Sequence, residues 1–154
     1  MIILLKKILA LAANQDHQEA QYRLGIILHV NTKGINLSIY FLLSVVKNNN
    51  EAKQKLKSIF NEVDLLLLNS TVVISFLMFL SFENIASAQY IVGMIYREAK
   101  IINQDINESM RYLLPAAQQK HKEAIYQLGM IHLSYFNDIK KSVLYFFRAA
   151  KLNH

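Results

Sequence analysis

The chain has 154 residues, an ordinary length for one domain, and with 53% hydrophobic and 18% charged residues, one Pro and four Gly it is neither disordered nor linker-rich. The absence of Cys excludes a disulfide framework, thiolate metal sites, a thiol nucleophile and iron–sulfur clusters, and leaves the redox compartment open. The net charge of +6 is uneven, with 8 basic and 3 acidic residues in 1–60, 3 and 6 in 61–119, and 6 and 2 in 120–154, so both ends are basic and the middle is acidic.

So little turn punctuation points to helices, and the apolar spacing places nine of them. The first spans about 2–14; its Lys6 and Lys7 follow four apolar residues rather than precede them, which is not the order of a secretory signal peptide. Pairs follow near 17–30 with 36–48, 50–64 with 70–82, 85–100 with 107–119, and 122–135 with 138–151. Asn36, Ser70 and Asn107 stand where N-caps are expected. Lys47, Lys53, Lys55 and Lys57 form the one dense basic run; it lacks interleaved aromatics and reads as a solvated helix face rather than a nucleic-acid stripe. Residues 65–82 run 18 positions without a charge, the lower edge of a membrane span. Asn69, Ser70 and Thr71 interrupt that run as a loop and a helix start would. Pro115 falls inside a helix, where it is expected to remove one backbone hydrogen bond and kink the chain at a cost of ~3 kcal/mol.

A repeat runs through these elements. Ala12 to Gly25 (AANQDHQEAQYRLG) matches Ala116 to Gly129 (AAQQKHKEAIYQLG) position for position, with Ala-Ala, His, Glu-Ala, Tyr and Leu-Gly shared. Ser87 to Tyr96 is a third copy, and Glu51 to Phe60 a worn one that keeps Ala52 and Leu56. The anchors Ala20, Ala52, Ala88 and Ala124 lie 32, 36 and 36 residues apart, a period that marks a stacked repeat architecture. A second signature interleaves with the first: a large apolar residue four positions before a pair, as in Ile8 with Ala12-Ala13, Tyr112 with Ala116-Ala117 and Tyr145 with Ala149-Ala150. Two helices per period follow, A then B, with Gly25, Gly93 and Gly129 at close helix contacts.

These motifs closely resemble the Sel1-like repeat family, a relative of the tetratricopeptide repeats. The run Ala-Ala, short turn, Glu-Ala-Gln-Tyr, Leu-Gly is nearly verbatim in Ala12 to Gly25 and Ala116 to Gly129. The third repeat has the family's interhelix length, with Asp105 and Ser109 at the positions of its Asp and small residue. The chain departs from the pattern in lacking the Gly-x-Gly-Val loop and in keeping few signature residues over 51–83. The resemblance implies an all-α fold, a right-handed α/α superhelix or solenoid of about four helix pairs plus a leading helix. It also implies a single domain over 1–154, with repeats near 15–48, 49–83, 84–119 and 120–151 after the leading helix at 2–14.

The same resemblance implies a function, that of a protein–protein interaction module or adaptor, and such members are often bacterial; the rich Lys, Asn and Ile usage is compatible with that source. By tetratricopeptide geometry, positions two before, two after and five after the helix-A anchors Leu24, Leu56, Val92 and Leu128 face the concave groove. The rows are Tyr22, Gln54, Tyr90 and Tyr126; Ile26, Ser58, Met94 and Met130; and His29, Asn61, Arg97 and Leu133. Three Tyr and two Met make a stripe suited to an apolar or extended peptide, with Arg97 able to hold a carboxylate. The other reading of the stripe is structural: Tyr belongs to the repeat signature, and its rings would support neighbouring A helices.

Nothing in the residues points to catalysis. There is no Gly-x-Ser-x-Gly elbow and no phosphate-cradling Gly-rich loop. His17 and His121 recur in phase with the repeat and read as turn or capping residues; His29 and His132 lack the helical Glu or His neighbour that a metal site needs. The expected partner is therefore a protein or peptide, with no cofactor, metal, small-molecule substrate, nucleic acid or membrane. Self-association is expected through the terminal helices, where Ile2 to Leu11 and Val143 to Phe147 are apolar almost all round, unless those helices fold back and bury the same side chains within one chain. Two other classes stay open: a membrane-associated protein using 65–82, and a regulatory module of an enzyme.

Overall fold

The computed structural model describes residues 1–29, 34–98 and 103–152. The described residues form nine α-helices: α1 (Ile2–Ala13), α2 (Gln18–His29), α3 (Ile35–Val45), α4 (Asn50–Glu62), α5 (Ser70–Phe82), α6 (Ala86–Glu98), α7 (Ile106–Gln118), α8 (Lys122–Ser134) and α9 (Ile139–Lys151). Single 3₁₀ turns stand at Val46–Asn48 and Leu65–Leu67, and no strand is present among the described residues. Every expected helix is found, with bounds differing by a few residues. Val30, Ala99 and Lys100, expected as helical, lie outside the described residues.

Several helix starts are fixed by side-chain caps. Asn49 caps α4 by accepting from the Ala52 amide at 2.9 Å, Asp105 caps α7 through Glu108 at 2.9 Å, and Asp138 caps α9 through Lys141 at 3.1 Å. His17 and His121 do the same with Nδ1, accepting from the amides of Ala20 and Ala124 at 3.2 and 3.3 Å. The three caps expected from sequence are each displaced by one or two residues. Asn69, not Ser70, accepts from Val72; Asp105 takes the place of Asn107; and α3 starts from Gly34 without a side-chain cap. Asn36 instead accepts from the Asn69 amide at 2.9 Å, so it secures the start of α5 rather than its own helix.

Three helix ends are built alike. Asp16, Asn84 and Lys120 adopt left-handed backbone, with φ of 58°, 62° and 62°. In each case the next amide reaches back to a carbonyl five residues earlier, His17 to Ala12, Ile85 to Leu80 and His121 to Ala116, which is the Schellman closure. The α3–α4 connection departs from this, passing through the 3₁₀ turn to an extended Asn49. α7 runs unbroken through Pro115 to Gln118.

The chain divides into two compact units, Met1–Phe76 and Leu77–His154, with the division inside α5. In the first, Ala13, Ala20 and Leu24 form a core with Leu9 and Phe41 against it, and Ile39, Leu42, Leu56, Ile59 and Phe76 are fully buried. In the second, Leu113, Ala116, Ala124, Ile125, Leu128, Ile131 and Ala149 form the core.

Glycine and serine set how closely the helices of a pair approach. A Cβ on Gly25 would stand 2.9 Å from Leu42, on Gly93 2.7 Å from Leu113, and on Gly129 2.7 Å from the Phe146 ring. Across two of these contacts a buried hydroxyl donates to the glycine's own carbonyl, Ser38 to Gly25 at 2.6 Å and Ser109 to Gly93 at 2.7 Å. At the equivalent position α4 carries Lys57. α4 and α5 do not approach as closely as α2 with α3, α6 with α7 or α8 with α9. α5 meets α4 through large side chains instead, with Phe60 and Phe76 edge to face at 6.1 Å.

The apolar run 65–82 is broken by the 3₁₀ turn and the Asn69 cap, and Val73, Phe76, Leu77 and Leu80 are buried. Among the described residues no helix is long and apolar enough to cross a membrane. The terminal helices do not fold back to cover their apolar faces: Ile2, Ile3, Leu4, Ile8 and Leu11 of α1 and Ile139, Val143, Leu144 and Phe147 of α9 are all exposed.

Candidate interaction surface

In the first unit, Tyr22 and Ile26 project from α2 into an open groove of about 760 Å³, floored by Leu5 and Leu9 of α1 and edged by Asn48 to Glu51. Glu19 and Arg23 pair at 2.6 Å on its rim. Burial raises the Tyr22 phenol above its ordinary pKa, and its hydrogen bond to the Glu51 carboxylate, with that group's charge, adds to the effect. Gln54 and Ser58 of α4 line a shallower groove that also includes Tyr22. His29 does not join them: it lies in a separate pocket with Ile35, Ile59 and Glu62, where burial and then the Lys55 charge lower its pKa. Asn61 is exposed.

In the second unit, Tyr126, Met130 and Leu133 of α8 line a groove of about 630 Å³ with Phe146, Ala149 and Ala150 of α9. Tyr90, expected as an open concave residue, is half-buried and stacks on the His121 ring at 4.9 Å with planes 26° apart. Its phenol is raised chiefly by that burial and then by Glu123 and Glu98. Arg97 is likewise engaged, its guanidinium donating to the Gln127 side chain, and Met94 is half-buried. The expected stripe thus divides by role within this unit. Tyr126, tilted against Phe146 at 5.3 Å, and half-buried Met130 line an open groove, whereas Tyr90 and Arg97 hold α6 to α8.

Two functional positions of the repeat escaped the sequence reading. Gln21 and Gln89, each following an anchor Ala, are buried and donate to the last carbonyls of the preceding B helix, Ala13 at 3.1 Å and Ser81 at 3.3 Å. Their recurrence at one repeat position was the available signal. His132 is also buried, its ring stacked on Tyr145 at 5.4 Å and tilted against Phe136 at 5.6 Å. Its Nδ1 has no hydrogen-bond partner among the described residues. Among the described residues no three His, Asp or Glu side chains gather as metal ligands would; His154 lies outside them.

No family model matches the chain, and no curated protein matches it. Solved structures do. A Sel1 repeat protein from Oxalobacter formigenes aligns over 97% of this chain with a TM-score of 0.58 at 18% identity, and a protective antigen present in uropathogenic Escherichia coli strains, displaying an SLR fold, aligns over 94% with a TM-score of 0.54 at 18% identity. The chain spans 46% of the first of those proteins and 32% of the second. The likeness shows the fold: an all-α helical-repeat fold like that of the Sel1 repeat structures.

Proposed function

We propose that the chain is a protein-interaction module, an adaptor that binds a peptide or protein partner on the exposed faces of its A helices. The observation that carries this reading is the pair of open grooves lined by in-phase aromatic and aliphatic residues, half-buried Tyr22 with Ile26 and exposed Tyr126 with half-buried Met130. Rigid aromatic rings over an apolar floor with a polar rim are the composition of recognition surfaces. No catalytic role is assigned to any residue.

The test is affinity capture with mass spectrometry, comparing the native chain with single alanine variants. Tyr22→Ala and Tyr126→Ala are expected to lose captured partner while the thermal midpoint moves by no more than a few degrees, because Tyr126 is 47% exposed and Tyr22, though half-buried, lines an open groove rather than the core. Tyr90→Ala is expected to lower the midpoint instead, through loss of its stack on His121. Undiminished capture by both Tyr22→Ala and Tyr126→Ala would place the partner on another face.

The exposed face of α1 favours a second reading alongside the first, self-association. Ile2, Ile3, Leu4, Leu5, Ile8 and Leu11 are each about half exposed or more, an apolar face of the kind that marks an interaction surface. Light scattering at low micromolar concentration is expected to report a dimer that Leu4→Glu with Ile8→Glu dissociates. A monomeric mass for the native chain refutes it.

A further inference from the structure

We draw no further inference here: the strongest candidate, the pocket that His29 of α2 shares with Glu62 of α4 and with Asp64, rests on two carboxylates beside one half-buried histidine, and no second observation in the structure points to a ligand for it.

Discussion

Leucine at position 93 is expected to lower stability by about 2–3 kcal/mol, seen as a fall of roughly 5–10 °C in the thermal midpoint. A Cβ there would stand 2.7 Å from both Cγ and Cδ2 of Leu113 and 3.2 Å from the Ser109 carbonyl oxygen. Leu113 is fully buried and has no free space to turn into, and the Ser109 hydroxyl ties the two backbones together. The gain in helix propensity on replacing Gly is under about 1 kcal/mol and does not offset the clash. Gly129→Leu is expected to cost less, because the obstructing group is the half-buried Phe146 ring, which can swing toward solvent. An unchanged midpoint for Gly93→Leu would show that α6 and α7 do not pack through this glycine.

A larger loss, about 3–5 kcal/mol, is expected from Phe76→Ala. Phe76 has no exposed surface and meets Phe60 edge to face, so the truncation leaves a cavity that α4 and α5 can close only by moving toward each other. Urea denaturation is the measurement: the midpoint should fall with little change in slope. Phe82→Ala in the same helix removes a ring that is 81% exposed and should change stability by less than about 0.5 kcal/mol. Equal effects of the two substitutions would mean that α5 does not contribute its Phe76 face to the core.

The contrast between these residues shows what could be read from the sequence. Gly93 lies in a run whose helical period is plain, and the 36-residue phase of Ala88 and Ala124 placed the helices around it correctly; Phe76 lies in a run apolar nearly throughout, where the pattern gave the helix but not its buried face. Which side of a helix is free was harder to read. Tyr90 and Tyr126 occupy the same repeat position and have the same intrinsic chemistry, yet only the former meets a following A helix, so burial depended on neighbours that periodicity does not describe. The caps slipped for a related reason. Asn36, Asn69, Ser70 and Asn107 can all accept an amide hydrogen bond, and backbone geometry, not residue type, decided which did. Gln21 and Gln89 were overlooked because a buried glutamine carries no apolar signal.

The left-handed residues Asp16, Asn84 and Lys120 bear on how such a chain can change its length. Each closes a B helix with the same pair of backbone hydrogen bonds and none is glycine, so the joint is defined by main-chain geometry and tolerates different side chains. A segment running from one of these residues to the next, as from Asn84 to Lys120, begins and ends in the same conformation. Duplicating or deleting such a cassette would therefore rejoin the chain through a turn it already knows how to make, with no new loop to be invented and no change of helix phase on either side of the seam.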